Sequence, residues 1–366
     1  MPGQENAIVS NELAAKREHG RRRVRARWPL LGALAGLATL VALVAVLTSR
    51  LLTDDLAPAS GIVLAFHYAT FMVRTFEFHA AVALGVIGIF GVIAHRYRLA
   101  MLAWPLALFA AAPELVLLPR PSEGSVPSSE PVITIMSANL MYGRVDPNLL
   151  MAEITRADPD VVAFQEWTPL AERALASKLA ATFPYRAALA RQDAFGQAIY
   201  SKRSFIGQPS LYPPTSGFTE PQISIDIEFD SAPLRVTNIH LLPPVSLDYF
   251  REQRASAARL AALCTSSDDR TPDILIGDFN ATTTSSILAS FRRHGLIEAH
   301  ADSPNRTIGR IRGTTWPRAG VLAHAPGIRL DHAMHQPWLQ CVHSEVGADT
   351  GSDHAPVIVK FQRVHP

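Results

Sequence analysis

What most restricts the folds open to this chain is a unit that recurs through residues 132–361: a short apolar run, a polar residue or pair at its end, then a helical segment. The clearest copy is Asp273-Ile274-Leu275-Ile276-Gly277-Asp278-Phe279-Asn280, an apolar run that stops at a carboxylate and an amide separated by one residue. A short apolar run without alternation reads as a strand covered on both faces. Strands alternating with helices point to an α/β chain, and side chains at strand ends commonly converge on one crevice because the sheet fixes them while the loops stay open.

The other copies follow the same plan. Val132-Ile133-Thr134-Ile135-Met136 leads to Asn139, and residues 160–164 lead to Gln165-Glu166. Residues 235–239 lead to His240, Ile328-Arg329-Leu330 leads to Asp331-His332, and Asp353-His354 precedes a last strand at 355–361. Helical periodicity is expected over 149–157, 169–181, 247–264 and 284–294. Residues 197–201 read as a further strand. In 222–229, Ile223, Ile225, Ile227 and Phe229 alternate with polar residues, as in a half-exposed strand.

The first third has a different chemistry. Segment 1–27 is polar and ends in Arg21-Arg22-Arg23-Val24-Arg25-Ala26-Arg27, directly before an uncharged run at 28–49. That run matches the roughly 20 residues a helix needs to cross a bilayer, and the arginines mark its inner side. Further spans are expected at 78–94 and 99–118, separated by His95-Arg96-Tyr97-Arg98, with Glu114 at the interface. Residues 56–73, interrupted by Pro58 and Gly61, read as a loop with a membrane-surface or re-entrant helix. The organisation expected is a cytoplasmic segment 1–27, a transmembrane region 28–118, a Pro/Ser-rich linker 119–131 and a soluble domain 132–366. Three crossings starting inside put that domain outside the cytoplasmic membrane; a fourth crossing by 56–73 would put it in the cytoplasm.

Charge divides at the same place. Residues 1–119 carry 11 Lys+Arg against 7 Asp+Glu, and residues 120–366 carry 23 against 25. The soluble part thus lacks the basic excess of a protein that grips nucleic acid without sequence preference. The two cysteines, Cys264 and Cys341, have no metal-ligand spacing and read as two buried thiols, with one long-range disulfide as the alternative.

Carboxylates and an amide, with no thiolate cluster, suit a hard cation such as Mg²⁺, or else Mn²⁺ or Ca²⁺. Histidines beside carboxylates add proton acceptors or donors near neutral pH. Such a set suits hydrolysis of a phosphate ester by activated water.

The ordered series Ser137-Ala138-Asn139, Gln165-Glu166, Asn238-Ile239-His240, Gly277-Asp278-Phe279-Asn280, Asp331-His332 and Ser352-Asp353-His354 resembles the endonuclease/exonuclease/phosphatase superfamily, of the deoxyribonuclease I type. Each motif alone is weak; six in order are not. The resemblance implies an α/β four-layer sandwich, two mixed β-sheets face to face with helices outside. It implies that Glu166 is the principal metal ligand, with Asn139 and Asp353 as metal or metal-water partners. It implies that Asp278 and Asn280 orient the water and bind the phosphate. His354, oriented by Asp331, would contact the phosphate and move a proton, and His240 would stabilise the transition state or protonate the leaving group.

Gln165 and His332 read as structural, the latter because it points away from Asp331 in an extended stretch. Trp316 either walls the cleft or packs. The resulting expectation is a membrane-anchored phosphoesterase with the lipid bilayer as a partner. An extracytoplasmic nuclease comes second, and a non-catalytic binding protein last.

Overall fold

In the computed structural model, residues 32, 35–37, 39–47, 56–115, 130–212, 220–265, 273–303, 313–324 and 326–364 are described. The basic segment 1–27, most of the 28–49 run, the side chain of Glu114 and the 119–129 part of the linker lie outside them. In chain order come α1 (Gly61–Thr75), α2 (Glu77–Ile93), α3 (Tyr97–Leu115), β1 (Ile133–Asn139), α4 (Pro147–Ala157), β2 (Val161–Gln165) and α5 (Pro169–Ala180). Next are β3 (Tyr185–Leu189), β4 (Gln197–Ser201), β5 (Ser210–Tyr212), β6 (Gln222–Phe229), β7 (Ala232–His240) and α6 (Leu247–Leu263). The series closes with β8 (Ile274–Asp278), α7 (Ser286–Arg293), β9 (Ile297–Glu298), α8 (Ala299–Asp302), β10 (Asp331–His335), β11 (Leu339–Val346) and β12 (Val357–Arg363).

Four of the helices that follow strands in residues 130–364, α4 to α7, start at side chains that cap them. Asp146 accepts from the Asn148 and Leu149 N–H groups at 2.8 and 3.2 Å, with Pro147 in the first turn. Thr168, again followed by a proline, caps α5; Ser246 caps α6 and Ser285 caps α7. Each cap satisfies an N–H that the helix leaves open.

Two six-stranded sheets result, in the orders β11-β12-β1-β2-β4-β3 and β5-β6-β7-β8-β10-β9. Each holds one parallel pair, β1/β2 and β7/β8, joined through α4 and α6 respectively; the remaining pairs are antiparallel. Ile135, Val161, Ile225, Val236 and Ile276 are among the side chains that fill the space between the sheets. Leu150 and Leu175 bury α4 and α5 against one outer face, and Phe250, Leu260 and Phe291 bury α6 and α7 against the other. The expected four layers are therefore present. In β6 the expected alternation holds only toward its end, because Gln222 and Ser224 are buried as well as the apolar set.

By compactness the chain forms two units, Met1–Leu51 with Glu77–Ala112, and Leu52–Phe76 with Pro113–Pro366. Residues 56–73, expected as part of the membrane region, thus belong to the second unit, with the two sheets. The reason is a helix face: Leu64 and Phe71 of α1 are buried in the same cluster as Phe250 and Leu260, with the Phe71 and Phe250 rings 5.1 Å apart.

In the other unit, the expected spans 78–94 and 99–118 are the helices α2 and α3. Among the described residues no single helix is long and apolar enough to cross a membrane; α1 and α2 reach that length only taken together, with a break between them. At 17 residues, α2 falls short of the roughly 20 that a bilayer requires.

Candidate active site

Strand register decides which polar ends meet. Parallel pairing sets Asn139 beside Gln165 and His240 beside Asp278, and antiparallel pairing sets Asp331 beside Asp278. Asp331 therefore opens β10 instead of ending a strand as expected; because β10 runs against β8, its first residue lies level with the last residue of β8.

Asp278 is the centre. Its Oδ2 accepts from Asn139 Nδ2 at 3.1 Å and has His240 Nε2 and His354 Nε2 each at 3.8 Å, while its Oδ1 accepts from the Asn280 N–H at 2.8 Å. His354 has Nδ1 2.8 Å from Asp331 Oδ2, so the ring stands between two carboxylates. Thr315 Oγ1 in turn accepts from the Leu330 and Asp331 N–H groups. Gly277 lets β8 approach β7 closely: a Cβ there would lie 1.9 Å from the Ile239 carbonyl oxygen.

Glu166 sits at the end of β2 in a left-handed backbone conformation, φ 56°. It accepts from Asn139 Nδ2 at 3.2 Å and from the Tyr142 N–H at 2.6 Å. Asn280 is left-handed too, φ 48°, and its side-chain amide donates to the Leu241 carbonyl at 2.8 Å. Non-glycine residues in this region cost of order 1–3 kcal/mol and persist where the surroundings over-determine them. Asp353 stands at the rim, where Trp316 Nε1 donates to it at 3.4 Å. Trp316 thus both lines this side and anchors a site residue.

Burial and neighbouring charge shift these groups in different directions. Burial raises the Asp278 carboxyl, partly offset by His354 and reinforced by Asp331. For Asp331 the His354 ring and hydrogen bonds from His354 and Thr315 outweigh burial and hold it down. Burial would lower His354, but the Asp331 and Asp278 carboxylates lift it to about 10. Burial, with the charge on His354, takes His240 down to about 4. The two histidines are thereby divided into a cation and a neutral ring.

The donor set fits a hard cation. Glu166 is raised chiefly by burial, its two hydrogen-bond partners are neutral amides, and its oxygens keep unused lone pairs. Ligand atoms of Asp278, Asp331 and His354 also lie within 4.8 Å of one another. There, however, His354 Nδ1 is engaged with Asp331 and both Asp278 oxygens accept hydrogen bonds, so the oxygens of Glu166 and Asp353 are the better hosts. Asn139 is oriented as a donor bridging Glu166 and Asp278, its carbonyl accepting from the Met141 N–H at 2.9 Å. That orientation suits a group that sets the carboxylates more than one that supplies a ligand oxygen.

Sequence reasoning missed a buried amide network under the site. Gln165 Nε2 reaches Asn238 Oδ1 at 2.6 Å across the two sheets, and Asn238 Nδ2 donates to the Phe164 carbonyl at 2.8 Å. Gln222 Oε1 accepts from the His240 N–H at 2.8 Å and from Gln197 Nε2 at 3.1 Å. Ser352 Oγ donates to the Asn139 carbonyl at 2.7 Å and accepts from the His354 N–H. The available signal was an amide at a position where the strand pattern calls for an apolar side chain. His332 is structural as expected: Nδ1 faces Glu298 and Nε2 faces the Ala281 carbonyl, each at 2.9 Å.

Residues 136–354 match the Endonuclease/Exonuclease/phosphatase family. Among solved structures, the chain is similar to humanized D. rerio TDP2 carrying 14 mutations, at 17% identity and TM-score 0.51 over 63% of this chain and 99% of that one. It is also similar to D. rerio TDP2 complexed with single strand DNA product, at 15% identity and TM-score 0.50 over 63% and 99%. The human Nocturnin catalytic domain with bound sulfate anion gives 15% identity and TM-score 0.48 over 64% and 96%. No curated protein matches.

Proposed function

The chain belongs to the endonuclease/exonuclease/phosphatase family, and from that premise we propose that it is a membrane-anchored hydrolase that cleaves a phosphodiester or phosphomonoester with a Mg²⁺ ion. Members of this family are typically hydrolases of phosphoester bonds and generally use a divalent metal. The observation that carries the reading is the convergence of Asn139, His240 and His354 on one oxygen of Asp278.

Asp278 is the proton acceptor for the attacking water. Its other oxygen is fixed by the Asn280 N–H, so the carboxylate cannot swing away. Asn280 positions the water and phosphate from the same turn. His354, positively charged and fixed by Asp331, donates from Nε2 to a phosphoryl oxygen. His240, neutral, serves as a hydrogen-bonding ring beside the phosphate, and its backbone is held by Gln222. Glu166 and Asp353 would hold Mg²⁺, or Mn²⁺ in its place, which when bound neutralises phosphate oxygens and stabilises the leaving oxygen.

Anchoring draws support from the exposed apolar side chains of α2 and α3, among them Val86, Ile89, Ile93, Met101 and Leu108. With the basic segment inside, the catalytic unit lies on the extracytoplasmic, periplasmic side of the inner membrane.

The test is turnover of a generic phosphodiester by the purified full chain with Mg²⁺. Asp278→Asn and Glu166→Ala are expected to lower kcat by about 10²–10⁴-fold with the melting temperature kept. Unchanged turnover in Asp278→Asn would overturn the assignment. A second reading, a nuclease, is favoured by the likeness to the TDP2 complex with single strand DNA product. Faster release of nucleotides from DNA than of headgroups from phospholipid would establish it.

A further inference from the structure

Helix α1 has two apolar sides, and only one of them is used within the catalytic unit. Leu64 and Phe71 face Phe250 and Leu260, while Ile62 and Phe66, 85% and 44% exposed, lie on the opposite side in line with exposed Ala69, and Val63, 52% exposed, lies on the flank. His67 and Tyr68 are the titratable side chains of residues 56–73, and both are half-buried, so the fully outward positions carry no group that prefers water.

The inward side does more than fill space. Tyr68 Oη donates to the Pro244 carbonyl at 2.9 Å, in the loop that follows His240. Arg74 Nε donates to the Thr284 carbonyl, and Thr284 Oγ1 donates to the Arg74 carbonyl at 3.1 Å, in the loop that follows Asn280. Arg254 of α6 donates to the Ala57 carbonyl at 2.8 Å. One helix thus braces both loops leaving the two central catalytic strands. The first of these loops carries Val245, 73% exposed, next to the residue that Tyr68 holds.

We propose that the outward side of α1 seats the catalytic unit in the interfacial layer of a lipid bilayer, so that the phosphoester admitted between the two braced loops is carried by a lipid headgroup. The substrate half of this rests on the phosphoesterase reading; the seating does not. A bilayer is the occupant because the chain passes from α1 to α2 across the single residue Phe76, and α2 has no Asp, Glu, Lys or Arg after Glu77. An uncharged apolar helix side joined in this way to apolar helices has the character of a segment buried at the headgroup boundary.

Cys264 and Cys341 are buried, so a single introduced thiol can be labelled selectively. The experiment places an environment-sensitive fluorophore on Phe66→Cys in the full chain reconstituted in phosphatidylcholine/phosphatidylglycerol vesicles. Leu170→Cys, exposed on α5 in the opposite outer layer, is the control. Expected are blue-shifted emission and stronger quenching by a lipid-borne nitroxide than by aqueous iodide at position 66, with the reverse at position 170. Iodide quenching at position 66 equal to that at 170 would overturn the proposal. So would protection from both quenchers, which would mean that a protein surface covers this side. Because no turnover is read, a failed seating and a failed phosphoesterase assignment give different results.

Discussion

At the scale of single residues, the site depends on keeping like charges apart with hydrogen bonds. Asp331 is the sharpest case: in the proposed reaction it reaches neither the water nor the phosphate, and acts by fixing the His354 ring through Nδ1. Asp331→Asn keeps the shape and removes the charge that holds His354 protonated; the expected result is a fall in kcat of about 10²-fold or more, with little change in KM. Away from the site, Glu298 and Glu345 are held down to about 2, Glu298 by His332 and nearby arginines against its burial, Glu345 chiefly by His343. Carboxyls held below their usual value stabilise the fold above that value and lose the contribution as pH falls through the folded one. Melting temperature should therefore drop between about pH 4.5 and 2, and Glu298→Gln should flatten that drop. A wild-type melting curve insensitive to pH in this window would contradict the assignment.

At the scale of elements, α1 is expected to behave as part of the catalytic unit. Phe71→Ala removes its largest buried contact and should cost about 3–5 kcal/mol in stability. Tyr68→Phe removes one hydroxyl from the brace on the Pro244 loop and should lower kcat while leaving the melting temperature nearly unchanged. Most strands and helices of the sandwich were legible because capped amphipathic helices and short apolar runs each follow from local chemistry. Of the eight site residues expected, Asn139, Glu166, His240, Asp278, Asp331 and His354 come together; Asn280 joins through its backbone, and Asp353 stands at the rim. The membership of α1 was not legible. An apolar helix looks the same in sequence whether its face meets lipid or Phe250, and only the partner decides. The Gln165–Asn238 bridge was equally hidden, because the pairing of two amides 73 positions apart is a property of how the sheets stack.

For the whole molecule, the proposed anchoring predicts on which side of a bilayer the catalytic unit stands. A reporter fused after Phe361 should be active in an extracytoplasmic compartment; a cytoplasmic signal would reverse the orientation and, with it, the lipid leaflet that the unit can reach. The place of β12 in the first sheet carries a further consequence, for biosynthesis. This strand lies between β11 and β1, more than two hundred residues after β1 in sequence, and His354 shortly precedes it. Until β12 emerges from the ribosome, β1 presents an open edge, and until shortly before then His354, proposed above to donate to the phosphoryl oxygen, has not been made. A chain stalled before residue 350 therefore exposes an unpaired strand edge and lacks His354, and is expected to be inactive and prone to aggregate.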